Sequence, residues 1–333
     1  MSIDSAIFLF LGSFVLSVVS SIVLARRLEQ LGVWLRMSQS LLGIVAALGA
    51  DAPEISSAVA ALHAGQHDLG VGIVLGSNIF NLAALLGLSA LLSGRVRVTR
   101  HTLLLNGGVA VAAMAVVAAQ LCGVLSGAWS LVLVGIVMVP YVSITALPPH
   151  LIRGLAVRVG FGADAAKWLV DADHDATRDQ TPPKPSGADR LGAIPALVAI
   201  VVASIGMVRS AVVLAAGWGI PDPIVGLVIL AALTGIPNVV TAVQLAMRGR
   251  GSAVLSEALN SNTLNLIAGA AVPAMIMGAA PLSPRAVVAL WWMMAMTLLA
   301  LGIAFVRRGM GRKGGALLVV VYAAFLLTTV LWR

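Results

Sequence analysis

The chain has 333 residues, 60% of them hydrophobic and 10% charged, with a formal net charge of +8. A soluble domain carries about 25% charged residues, so an ordinary soluble fold is excluded; apolar runs of about 18 or more residues recur from end to end and predict a multi-pass, all-α membrane protein. The basic excess does not point to a nucleic-acid partner, because the basic residues fall in short connections between apolar runs, where topology accounts for them.

Ten spans fit the hydropathy, with limits near 5–25, 37–62, 69–92, 102–122, 125–145, 191–214, 221–247, 252–278, 285–306 and 314–332. The first begins near Ser5 without a basic leading region or a small-residue cleavage site, so it reads as a span and not as a cleavable signal. With ten spans both ends lie on one side. Placing that side outside leaves Arg26, Arg27, Arg95, Arg97, Arg100, Arg153, Arg158, Lys167, Arg178, Lys184, Arg190, Arg248, Arg250, Arg307, Arg308, Arg312 and Lys313 inside, which is 17 of the 21 Lys and Arg. That bias predicts a cell (inner) membrane protein with both termini outside and the loop 146–190 in the cytoplasm. The chain then divides into a five-span half, 1–145, the loop, and a second five-span half, 191–333. The single cysteine, Cys122, allows no internal disulfide.

The loop holds a linker-like stretch, TPPKPSGAD. Before it, Asp171, Asp173, Asp175 and Asp179 have the spacing of a calcium loop. Ala176 and Pro182 stand where such a loop needs glycine and glutamate, so a solvated acidic loop is the better reading.

The second, third, seventh and eighth spans are interrupted by polar motifs. Residues 49–87 carry Asp51, Glu54, Ser77, Asn78 and Asn81 inside an apolar chain, with Pro53 where a helix should be continuous. Ionisable groups at membrane depth are costly and mark functional sites by default. A proline there leaves backbone carbonyls without donors, which is tolerated where they line a cavity or bind an ion. At an offset of 184 residues the motif returns: Pro53 meets Pro237, Ser57 meets Thr241, Gly65 meets Gly249, Ser77-Asn78 meets Ser261-Asn262, and Asn81-Leu82 meets Asn265-Leu266. Five spans separate equivalent points, so the halves are expected to enter the membrane in opposite orientation, with a site at the midplane between them.

At these residues the sequence resembles the sodium/calcium exchangers of the calcium/cation antiporter superfamily. Gly49-Ala50-Asp51-Ala52-Pro53-Glu54 is similar to their G-T-S-x-P-E motif, and the stretch from Gly72 through Ser77-Asn78 to Asn81 is similar to G-N-x-x-G-S-N-x-x-N. The second copy, around Thr234, Pro237-Asn238 and Ser261-Asn262 to Asn265, is a weaker match. The resemblance implies ten helices in two inverted repeats, with broken helices two, three, seven and eight around the ions and helices one and six sliding past them. It implies cation ligands from Glu54, Ser77, Asn81, Thr234, Asn238, Ser261 and Asn265, with backbone carbonyls near Gly49, Ala50, Leu233 and Thr234. It also implies inorganic cations as the partners and no cofactor beyond the transported ions.

The sequence departs from the family pattern at the chemistry itself. Asn238 stands at the second-half glutamate position and Asn265 at a frequent acid position. The first-half Thr-Ser pair is Ala50-Asp51, Gly235 replaces a serine, and Glu257 replaces an asparagine whose first-half counterpart is Ile73. Charge has moved from a two-sided site to one dominated by the first half. Asp51 and Glu54, three apart on a helix, lie near one face and add to the cation ligands. With the amides, hydroxyls and carbonyls they can approach the roughly 6–8 oxygens that calcium takes. Two carboxylates close together away from water do not both ionise easily and exchange protons as a pair, so an entering cation can displace a proton.

Other readings stay open. Asp51 can cap a helix end or face water. Glu257 can be a gate or surface residue, and Asn78 and Asn262 can pin helix ends rather than bind ions. His63, His67 and Asp68 read as a wet loop face rather than a metal site, and Trp291, Trp292 and Trp332 as interfacial or packing aromatics. The leading expectation is a secondary active antiporter of calcium or another metal cation against sodium or protons. A monovalent or proton-coupled exchanger on the same fold is the first alternative, and a non-transporting sensor or scaffold with a decayed site the second. An enzyme is not expected: the chain has no H-E-x-x-H motif and no paired aspartates on separate spans.

Overall fold

The computed structural model describes residues 1–34, 39–146, 192–278 and 280–331, with single positions at 151, 154, 164, 167 and 168. The acidic series from Asp171, the linker with Lys184, and Trp332 lie outside the described residues. The described chain is helical apart from one two-stranded ribbon. The helices are α1 Ile3–Trp34, α2 Gln39–His63, α3 His67–Asn81, α4 Ser89–Ser93, α5 Arg100–Leu121, α6 Gly127–Ala146, α7 Ala193–Trp218, α8 Asp222–Ile224, α9 Ala231–Thr234, α10 Ile236–Met247, α11 Gly251–Leu266, α12 Val272–Met277, α13 Pro284–Arg307 and α14 Arg312–Leu331. Wider π-helical turns link α3 to α4 (Leu82–Leu88), α8 to α9 (Val225–Leu230) and α11 to α12 (Ile267–Ala271).

Seven described helices are long and apolar enough to cross a membrane, and the pair Asp222–Thr234 and Ile236–Met247, bent by 48°, makes eight. Helical segments also cover the two remaining expected spans, α2 and α11–α12, where the polar motifs lower the hydropathy. The first helix overruns its expected limit: it continues to Trp34, through Arg26 and Arg27.

The expectation of four broken helices needs correction. α2 runs through Pro53 as one helix. Proline removes the donor for the Gly49 carbonyl but does not bend the element out of helical geometry, because α2 is packed against α1, α3, α7 and α11. The sharp bend is at Gly235, beside Pro237. The third and eighth spans widen into π turns just after Asn81 and Leu266, where a carbonyl ladder loses its register.

Burial separates a centre from a periphery. The His67–Ser93 span is 89% buried, whereas Gly127–Thr145 is 17% and Arg312–Leu331 22% buried. The peripheral helices turn Phe8, Trp129, Ile194 and Val306 outward, as lipid-facing surfaces require. α1 packs along α7 through small residues: Ser13, Ser17 and Ser21 on one side, Ser204 and Gly206 on the other. In the centre α3 crosses the Val225–Leu230 turn backbone to backbone. A Cβ on Gly76 would lie 2.7 Å from the Leu227 Cα, and one on Gly226 would lie 2.5 Å from the Leu69 carbonyl.

The basic connections gather at one end. Arg95–Arg97 pairs antiparallel with Gly309–Gly311, Arg95 donates to the Arg307 carbonyl at 3.1 Å, and the Thr99 amide donates to Ser252 Oγ at 3.4 Å. The opposite end holds a cleft lined by Leu62, His67, Asp68, Met277 and Pro281, with Cys122 exposed in the turn after α5.

Local turns 184 residues apart are alike. Gly65 and Gly249 turn with φ of 75° and 77°, and Gly94 and Gly278 with 85° and 87°. Gln66 donates to the Ala61 carbonyl as Arg250 does to Leu245, at 2.9 and 3.0 Å.

Gly76→Ala should cost about 1–3 kcal/mol by overpacking against the Leu227 backbone. Gly108→Ala, whose Cβ would meet nothing within 4 Å, should leave stability unchanged. Thermal unfolding in detergent, followed on the monodisperse fraction, checks the pair.

Candidate ion site

Asp51 and Glu54 sit on α2 and are 0% and 2% exposed. Neither is left bare. Asp51 Oδ1 accepts from Asn238 Nδ2 at 2.6 Å and from Ser261 Oγ at 2.7 Å. Glu54 Oε2 accepts from Asn265 Nδ2. Each acid of the first half is thus covered by donors from the second, and four helices (α2, α3, α10 and α11) meet at the group.

α3 supplies the next layer. Asn81 Nδ2 donates to Ser261 Oγ at 3.0 Å and to Asn262 Oδ1 at 3.2 Å. Ser77 is fully buried beside the Glu54 carboxylate without closing a hydrogen bond of its own. Asn78 and Asn262, equivalent at the 184 offset, exchange bonds: Asn78 Nδ2 donates to the Asn262 carbonyl at 3.1 Å and Asn262 Nδ2 to the Asn78 carbonyl at 3.0 Å. This reciprocal pair ties α3 to α11.

An ionised carboxylate only accepts hydrogen bonds, so an amide facing it must present its NH2 and withhold its carbonyl oxygen. Among the described residues, Asp51 Oδ2, Glu54 Oε1, Ser77 Oγ, Asn81 Oδ1, Asn238 Oδ1 and Asn265 Oδ1 are buried without a hydrogen-bond partner. All can act as acceptors. Burying a polar atom unpaired costs on the order of 1–3 kcal/mol, and a charged one more. A cluster with this surplus of oxygen lone pairs suits a positive species, a hard cation or protons. Glu54 Oε1 faces the helix break, where a Cβ on Gly235 would come within 3.2 Å of it.

Seven of the sequence-predicted ligands therefore converge: Asp51, Glu54, Ser77, Asn81, Asn238, Ser261 and Asn265. Thr234 is buried too, but its hydroxyl turns back on its own helix and donates to the Leu230 carbonyl at 2.8 Å. Glu257 stands one turn before Ser261, partly exposed. His63 and His67 are exposed, and no group of three or more His, Cys, Asp or Glu that could hold a metal occurs among the described residues. Trp291 is 65% exposed, while Trp292 packs edge-on to Phe325 at 6.2 Å. Sequence reasoning missed a second buried network, in which Tyr141 Oη lies 2.7 Å from both Asn106 Oδ1 and Asn260 Oδ1. Its signal was an asparagine in an apolar run and one of only two tyrosines in the chain.

The sequence model of the sodium/calcium exchanger protein family matches residues 5–147 and 191–331. The chain is similar to the "Putative antiporter CaxA" of Alkalimonas amylolytica, 25% identical over 304 residues that cover 87% of this chain and 88% of that one. The crystal structure of an H+/Ca2+ exchanger, CAX, superposes with a TM-score of 0.70 at 16% identity, covering 97% of this chain and 86% of that one. A structure of the sodium-calcium exchanger NCX_Mj gives 0.59 at 20% identity, covering 97% and 98%. The structural likenesses establish the shared fold.

Asn262→Ala deletes both arms of its bonding and leaves the Asn78 carbonyl and Asn81 short of partners. It should destabilise the protein by about 1–3 kcal/mol, read as a fall in unfolding temperature. The stabilisation that added cation brings should persist, because the acids and their direct donors are untouched.

Proposed function

Because the chain belongs to the sodium/calcium exchanger family, we propose that it is a secondary active antiporter whose cargo site is the Asp51–Glu54 group, with a divalent metal cation, calcium foremost, as the transported ion and protons as the counter-species. It is a transporter and not an enzyme. The observation that carries this is the pair of fully buried carboxylates, each half-covered by a second-half amide and each with one oxygen left over. Two carboxylates balance one divalent cation, and in its absence they balance protons, so cation and proton exclude each other at one place.

The ligand set is Asp51, Glu54, Ser77, Asn81, Asn238, Ser261 and Asn265, with backbone oxygens of Gly49 and Leu233, whose helical donors are replaced by Pro53 and Pro237. Thr234 contributes by its place at the helix break. Ten crossings in two inverted halves, 1–145 and 191–333, joined by a cytoplasmic loop 146–190, account for the paired glycine turns and the Asn78–Asn262 exchange. The gathering of Arg95, Arg97, Arg250, Arg307 and Arg312 at one end supports that end as cytoplasmic. The small-residue seam between α1 and α7 supports their movement against the core.

Four outcomes test this reading. In proteoliposomes loaded for a panel of calcium, manganese, magnesium, sodium and potassium, uptake of a divalent cation should follow an imposed pH gradient more than a sodium gradient. Glu54→Gln, which keeps shape and removes charge, should abolish both flux and binding. Asp51→Ser should weaken transport without ending it, and Asn238→Glu should tighten divalent binding. Normal transport by folded Glu54→Gln protein would put the ion site elsewhere.

For topology, Cys122 is exposed in the turn after α5. An impermeant maleimide added to intact cells should label it. Cysteine placed at position 184 in a Cys122→Ser background should stay unlabelled until the membrane is opened, and the reverse pattern would invert the orientation.

A further inference from the structure

Glu257 has no part in the cargo group, yet its position relates it to Asp51. It lies on α11 one helical turn before Ser261, and Ser261 donates to Asp51 Oδ1 at 2.7 Å. Residues four apart share a helix face, so the Glu257 side chain leaves the same face roughly 6 Å nearer the start of the helix. That start, Gly251, packs on the Arg97 backbone at the basic end. The side chain is partly exposed, while Oε2 is buried and without a hydrogen-bond partner among the described residues. Arg248 and Arg250 are close in sequence, but Glu257 forms no ion pair with either among the described residues. Asp51, bonded by Ser261 on the same helix face, keeps Oδ2 unpartnered at 0% exposure.

A carboxylate that is partly exposed, paired with no base and one turn from the serine that bonds a buried acid fits a place where a partly hydrated cation pauses before losing its remaining water. At the equivalent place in the other half stands Ile73, 0% exposed. The acids therefore step inward from the basic end as Glu257, Asp51 and Glu54, whereas from the opposite end α3 carries an acid only in its first turn, Asp68, and none from there to Asn81.

We propose that Glu257 is a second cation-binding station, on the path between the basic end and Asp51, and that it makes cation entry easier from that face than from the other. The ligand class is a hard, partly hydrated divalent cation, held by one carboxylate and its own water. The proposal rests on the antiporter reading above. Its content is the asymmetry, which that reading does not contain.

The test uses the full chain in vesicles of known orientation, with calcium as the probe applied to one face at a time. Wild type, Glu257→Gln and Glu257→Asp are compared by apparent KM and kcat. A charge at the mouth of a path raises local cation concentration by about tenfold or more. Glu257→Gln should accordingly raise the KM about tenfold at the loop-bearing face, leave the KM at the opposite face and the kcat nearly unchanged, and be rescued by Glu257→Asp. A shift of equal size at both faces means a structural role and overturns the proposal, as does no shift at either. If Glu257→Gln yields no folded protein, Glu257→Asn against Glu257→Asp decides by the same two-face ratio. Calcium uptake that depends on Glu54 but treats Glu257→Gln alike from both faces defeats this inference alone. No calcium uptake by wild type would defeat it together with the antiporter reading.

Discussion

The Asp51 carboxylate, bonded by Asn238 from α10 and Ser261 from α11, is the interaction on which the centre of the molecule depends. Without donors from the second half, an ionised acid buried here would carry a large desolvation cost. The bonds therefore do two things. They make the first-half acids tolerable, and they fix how α2 and α3 meet α10 and α11. The close crossings at Gly76 and Gly226 and the exchanged bonds of Asn78 and Asn262 hold the same seam from either side. The fold and the candidate site thus share one seam between four helices.

The substitutions that set this chain apart from the exchanger pattern prove to be partners. Asp51 stands where the pattern has serine and Asn238 where it has glutamate, and the two are hydrogen-bonded to each other at 2.6 Å. Carboxylate and neutral group have changed sides across the seam. Asn265, at the other altered acid position, covers Glu54 in the same way. The site thus keeps two carboxylates but draws both from one helix. Amides supply donors without charge, so the group carries less net negative charge than one with acids from both halves. This arrangement argues against a decayed site, because random loss of acids would leave orphaned charge rather than matched donors.

Much of this was legible in the sequence, and the reasons are specific. Helix positions followed from apolar length, which the bilayer enforces. That seven of the candidate ligands lie together was suggested by polar side chains in apolar runs and by the 184-residue offset. What could not be read depends on three-dimensional partners. Pro53 looked like a break, yet α2 stays helical because neighbours pack it on several sides; the bend falls at Gly235, where a glycine and a proline act together. Thr234 shared a motif with the other candidate ligands but spends its hydroxyl on Leu230. The pairing of Asn238 with Asp51 rather than with Glu54 was invisible, because two acids three residues apart offer equivalent targets in sequence.

The central claim is that one divalent cation sits between the leftover oxygens of Asp51 and Glu54. Anomalous scattering from crystals soaked in manganese tests it directly. The account predicts a peak within coordinating distance, about 2.0–2.6 Å for hard cations on oxygen, of Asp51 Oδ2 and Glu54 Oε1, lost in Glu54→Gln. A peak bound by neither acid, or one that survives Glu54→Gln in place, would contradict it.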